Sequence, residues 1–204
     1  MRSVWLVGVE IDGVVERLVV NGVDVTGYVE ANDPWHPLRA AGRARDVRSM
    51  IAGCEALDAA WSETIESVRS SPPEVAESSV DGEWTFVQSL RHLVFGTDKW
   101  FTHPVLADGF HPIGLPNTGS LDFPWPDIDP DATASLEEAA AARAERVGRL
   151  RSWLDECDDA DLDREVVVLE NGSHSVGDCI RVVFEESFEH LRYARRDLAR
   201  LRSG

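Results

Sequence analysis

The chain has 204 residues, with 20 basic against 37 acidic side chains and a formal net charge of −17. A surface this acidic excludes partners recognised through phosphate, because nucleic-acid backbones and anionic lipid leaflets are bound by Lys and Arg. Hydrophobic residues make up 43% of the chain, enough for one sizeable core, yet no run approaches the ~18 apolar residues of a membrane span.

In chain order, residues 4–11, 14–20 and 23–25 are β-branched runs separated by Asp12-Gly13 and Asn21-Gly22. Both dipeptides tolerate the positive φ of a type I′ turn, so a three-stranded meander is expected over residues 1–30. Glu10 and Asp12 interrupt this stretch too early for a secretory leader, and the expected setting is the cytoplasm. Residues 31–38, with Asp33-Pro34 and His36-Pro37, read as a linker into a helical domain spanning 39–204.

The first helix is predicted over about 39–69, where Val47, Met50, Cys54, Leu57, Trp61, Ile65 and Val68 recur at three- and four-residue spacing. Trp61 is expected on its outer surface, where it would support a homodimer. The second helix is capped by Thr85 with Gln88 three residues on and runs to about 102. Residues 103–134 hold six prolines and read as an ordered lid or a packing strap. Ser135 and Glu138 open a third helix to about 157. Residues 165–169 and 174–176 flank Asn171-Gly172 as a hairpin, and Ser175 with Asp178 caps a last helix to about 201. Cys54, Cys157 and Cys179 fit no metal or disulfide spacing and read as buried thiols. Four helices with one long connection predict a mainly α, antiparallel four-helix bundle.

On the last helix, Ile180, Val183, Phe184, Leu191, Ala194, Leu198 and Leu201 fall within about 20° to 120° of His190, and Glu186 lies at about −40°. Glu186 and His190 therefore form an i, i+4 couple at the edge of the buried stripe. On spacing alone this is first an ion pair and second a chelating pair. On the second helix, His92 has Ser89 and Gly96 on neighbouring turns, which leaves open volume around its imidazole. Glu185 and Glu189 point elsewhere around the helix. His103 lies about 16 Å along the axis from His92, too far to share an ion with it.

Residues 81–101, DGEWTFVQSLRHLVFGTDKWF, and 181–201, RVVFEESFEHLRYARRDLARL, resemble the DinB/YfiT-like superfamily of four-helix-bundle proteins, a likeness covering roughly 39–201. Many members hold a divalent metal with three histidines, the last two as H-x-x-x-H on the final helix. Glu186 stands here where the first of that pair would be. The branch that includes mycothiol-dependent maleylpyruvate isomerase is similar in this respect, with a helix-two histidine and E-x-x-x-H. The resemblance implies His92, Glu186 and His190 as ligands of zinc or nickel, with Asp98, Tyr193, Arg196 and Asp197 as supporting or substrate-contacting groups. It further implies a low-molecular-weight thiol as cosubstrate and a transferase or isomerase acting on a small molecule. A metal-dependent hydrolase and a non-catalytic stress-response or interaction module are the competing readings.

Overall fold

A computed structural model describes residues 7–203, apart from 12, 14, 16 and 122. The fold is mainly helical, with two small antiparallel sheets. Strands β1 (Val19–Val20) and β2 (Val23–Asp24) pair as Val19 with Asp24 and Val20 with Val23. Asn21 and Gly22 have φ of 51° and 85°, as a type I′ turn requires at both central positions. The expected turn at Asp12-Gly13 and the start of the first run lie partly outside the described residues. Among those described, the three-stranded meander reduces to this one ladder. Val7, Val9 and Ile11 are exposed and join no strand.

Residues 26–38, expected as sheet end and linker, are largely helical. Helix α1 is Thr26–Asn32 and α2 is His36–Arg39, followed by a 3₁₀ turn at Ala40–Arg43. The first long helix, α3 (Val47–Arg69), starts eight residues later than periodicity indicates. Asp46 is its N-cap: its carboxylate accepts the Ser49 N–H at 2.7 Å, while the Ser49 hydroxyl takes the Asp46 N–H at 3.2 Å.

The other caps match their sequence signatures. The Thr85 hydroxyl accepts the Gln88 N–H and the Gln88 amide oxygen accepts the Thr85 N–H, opening α4 (Phe86–Thr97). Beyond Thr97 the chain passes through a π-helical turn, Asp98–Thr102, into α5 (His103–Leu106), so the predicted helix is interrupted, not straight. Ser135 and Glu138 cap α6 (Leu136–Glu156), and the short α7 (Asp159–Leu162) follows. Strands β3 (Glu165–Val168) and β4 (Gly172–Ser175) form the second ladder, with Val168 opposite Gly172. Its loop is therefore Leu169–Asn171, with Gly172 at φ 82°, instead of a two-residue Asn171-Gly172 turn. Ser175 and Asp178 cap α8 (Val176–Ser203).

Helices α3 and α4 each pack against both α6 and α8, which puts α3 and α4 on one diagonal of the helical core and α6 and α8 on the other. The apolar interior is divided. One cluster joins Met50, Leu57, Phe101, Leu150, Ile180 and Phe184. A second joins Trp61, Phe86, Leu90, Leu93, Leu191 and Leu198. Along α8 the change from one to the other falls between Phe188 and Leu191. A third, smaller cluster of Phe95, Phe110 and Trp125 anchors the Pro-rich segment to α4, which makes that segment a packing strap. Trp61, expected on the surface, is fully buried. Its indole N–H donates to the Ser187 carbonyl at 3.0 Å, and the Arg143 guanidinium lies over its ring at 5.3 Å. It lies in the same stripe as Leu57 and Ile65, and the core takes the whole stripe. No helix among the described residues is long and apolar enough to cross a membrane.

Candidate metal centre

The boundary between the two apolar clusters on α8 is where Glu186 and His190 project, and His92 meets them from α4. One carboxylate oxygen, Glu186 Oε2, lies 3.3 Å from His92 Nε2 and 3.4 Å from His190 Nε2. The two imidazoles face each other with ring centroids 4.7 Å apart. One ligand atom from each of the three residues can be chosen so that all lie within 4.8 Å of one another. Atoms bound at about 2.0–2.1 Å to a tetrahedral zinc ion sit about 3.3–3.4 Å apart, the spacing the two N···O pairs already have.

His92 is 2% exposed, and its other nitrogen defines its state. Nδ1 lies 3.0 Å from the Leu115 carbonyl, which can only accept, so Nδ1 carries the proton. In a neutral ring this leaves the Nε2 lone pair aimed at the Glu186 carboxylate, an arrangement that calls for a proton or a cation between them. Backbone fixation of the far nitrogen is the support a metal-bound histidine ordinarily has. Leu115 is itself placed by its N–H, which donates to the Arg91 carbonyl at 3.1 Å, and by the Arg91 Nε–H donating to the Ile113 carbonyl at 2.8 Å. The packing strap thus doubles as the element that orients His92.

Trp84, one residue before the N-cap of α4, packs on both imidazoles. Its centroid is 4.6 Å from that of His92 and 5.7 Å from that of His190, nearly parallel to the latter at 16°. Hydrogen bonding from His190 and then His92, whenever a proton sits on the nitrogen that faces the carboxylate, holds the Glu186 carboxyl well below the usual carboxylate range, against the opposing effect of burial. Glu186 is therefore ionised at neutral pH and brings a full negative charge to the cluster.

The remaining sequence candidates divide. Tyr193 stands against His190 with centroids 6.1 Å apart, and with Asp197, Trp84, Ser89 and Thr118 it lines an open cleft of about 350 Å³ beside His190. Arg196 borders this cleft, but its guanidinium is occupied: it pairs with Asp197 at 2.8 Å and with Glu83 at 2.5 Å, and lies over Tyr193. Asp98 is not brought to the cluster. It is fully buried, where it accepts from Arg146 Nε at 2.6 Å and from the His111 N–H at 2.7 Å. Burial pushes its carboxyl up, partly offset by those two bonds. Of the two small neighbours of His92, Ser89 opens onto the cleft and Gly96 onto a narrow interior gap beside Glu186. Glu185 packs near Gly42 and Glu189 pairs with Arg192, both away from the cluster as the helix arithmetic expects. Trp84 and the Leu115 carbonyl are not among the site groups expected from the sequence. The tryptophan's place directly before the Thr85 cap was a usable signal, whereas a backbone carbonyl has none.

A helical protein with two histidines and a glutamate converging on one point, open on one side to a cleft, can hold a divalent cation with a coordination position to spare. The family model of the DinB superfamily matches residues 56–194, and the chain belongs to that superfamily. No curated protein and no solved structure matches it.

Proposed function

We propose that His92, Glu186 and His190 bind one divalent cation, zinc or nickel, and that the protein uses it to act on a small molecule with the help of a low-molecular-weight thiol. The observation that carries this reading is the shared Glu186 oxygen, 3.3 and 3.4 Å from two imidazole nitrogens. A divalent cation held by these three residues would lower the pKa of a coordinating thiol and leave it a thiolate at neutral pH.

The chain's own residues supply the rest. Leu115 and Trp84 fix the rotation of His92, and Trp84 fixes the plane of His190. Tyr193 and Thr118 offer hydroxyls to whatever lies in the cleft, and Asp197 holds Arg196 out of it. In this reading the thiol comes from solution, because none of the three cysteines belongs to the His92, Glu186 and His190 cluster. Burial pushes the Cys54 and Cys179 thiols up to about 11 and raises that of Cys157. The superfamily likeness of the two sequence blocks favours thiol-dependent transfer or isomerisation.

Elemental analysis of the purified protein tests the first half: we expect close to one equivalent of zinc or nickel, and less than about a tenth, with no uptake on dialysis, refutes it. Cobalt substitution tests the second half. Adding a low-molecular-weight thiol to the cobalt form is expected to produce a sulfur-to-cobalt charge-transfer band. Metal binding without that band would turn the reading toward a hydrolase or a non-catalytic module.

A further inference from the structure

A second cavity, separate from the cleft at His190, lies between the Pro-rich strap and the middle of α4 at Arg91. It holds about 360 Å³, within the ~300–1,000 Å³ span of small-molecule sites. Its walls are apolar and flat-sided: Phe123, Trp125, Ile128, Leu115 and Pro116, with Pro124 beside them. These are rigid. Trp125 is 8% exposed, packs edge-on against Phe95 at 4.8 Å, and donates its indole N–H to the Ser120 carbonyl at 2.8 Å. The backbone beneath is pinned by the Leu115 and Asp129 N–H groups, which donate to the Arg91 and Pro112 carbonyls.

One cation reaches this wall. Arg91 is half-buried and donates Nε–H to the Ile113 carbonyl at 2.8 Å, and among the described residues it forms no ion pair. Asp129 and Glu77 act on it electrostatically without pairing with it. Asp129 also lines the cavity, with its Oδ1 accepting the Asp131 N–H at 3.0 Å. A partly desolvated guanidinium without an ion-pair partner among the described residues, at the edge of an aromatic and proline-lined cavity, matches a planar apolar body bearing one anionic group. Its fork of N–H donors suits a carboxylate.

We propose that this cavity is a binding site for an aromatic carboxylate, with the ring between Trp125, Phe123 and the prolines and the carboxylate on Arg91. The site is independent of whether His92 holds a cation. A ligand seated there rests on Leu115, the residue whose carbonyl holds the His92 ring.

Equilibrium dialysis of chelator-treated protein with 2-naphthoate, and with 2-naphthylmethylamine as the ring-matched cation, tests the proposal. We expect saturable one-to-one binding of the acid, about tenfold or more tighter than the amine. Leu121→Asp places a negative charge in the cavity lining at a position 57% exposed, where it leaves the fold intact, and is expected to weaken the acid by about tenfold or more. Arg91→Lys is expected to keep the preference for the acid, and Arg91→Gln to abolish it. Equal binding of acid and amine, unchanged affinity in Leu121→Asp, or no saturable binding of the acid up to about 1 mM would each overturn the assignment.

Discussion

His92 has two jobs that a pair of substitutions can separate: it fills the space among Trp84, Phe95 and His190, and it carries a nitrogen aimed at Glu186. Asparagine has its amide nitrogen at the same bonded position as Nδ1, so His92→Asn can still donate to the Leu115 carbonyl while lacking any atom at Nε2. His92→Ala loses both. In chelator, His92→Ala should lose about 3–5 kcal/mol through the missing ring and the orphaned carbonyl, and His92→Asn about 1–2 kcal/mol through lost ring packing alone.

Zinc separates them from the parent in a different way. At a zinc concentration a hundred times the dissociation constant, the parent gains about 2.7 kcal/mol, which for a chain of this size raises Tm by about 5–11 °C. A variant whose affinity falls by about a hundredfold retains about 0.4 kcal/mol of that gain, or about 1 °C. Thermal unfolding followed by far-UV circular dichroism, with chelator and with zinc, gives all six values. A zinc shift in His92→Asn as large as the parent's would refute ligation by His92. Equal losses for Asn and Ala in chelator would refute the role assigned to the Leu115 bond.

Three further outcomes follow from the same structure. Trp84→Ala removes the surface that holds both imidazole planes, and zinc affinity measured by competition with a chelating dye should fall about 10–100-fold, as it does when ligand-orienting groups are removed elsewhere. Asp58→Ala leaves the Arg143 guanidinium, 3% exposed, without its partner at 2.9 Å. Urea unfolding should show a loss of about 2–3 kcal/mol, below the ~3–5 kcal/mol of a fully enclosed pair because the Asp58 side chain is 44% exposed. At the start of α8, the Ser175 hydroxyl and then Arg181 hold the Asp178 carboxyl below its ordinary range. A depressed acid stabilises the fold above its unfolded pKa and loses that contribution as pH falls through about 4 toward the folded value. Ser175→Ala should therefore cost about 1 kcal/mol at neutral pH and flatten the Tm profile below about pH 4, and an unchanged acid limb would count against the cap.

What the sequence revealed of this architecture was carried by side chains with fixed local geometry. The cap pairs at Thr85, Ser135 and Ser175 placed three helix starts to the residue, because each needs only a hydroxyl and an acceptor three positions on. The Glu186–His190 couple was legible from the 100° step of a helix. The start of α3 was not, because the apolar repeat runs back toward residue 39 without a break and only the Asp46–Ser49 bonds decide where the helix begins. Helices α1 and α2 are too short to show a period. Asp98 was drawn toward the site by its closeness to His92 in sequence, yet the turn of the chain at the π-helical segment accompanies its burial against Arg146 on α6. The Leu115 carbonyl could not be read at all, since every residue has one and only the path of the strap brings this one to His92.

The three proposed ligands lie far apart along the chain, His92 on α4 and the other two 94 and 98 positions later on α8. At 5–20 residues per second, a ribosome that has made His92 needs about 5–20 s more to reach His190. Until Glu186 is made, His92 has neither of its proposed partners, so a cation captured there early would be held by a single weak bond. Loading of the proposed site would be confined to molecules in which α8 has docked against α4. The amount of bound metal per chain would then report how many copies have finished folding, and truncation anywhere before residue 186 would leave a product that titrates as metal-free.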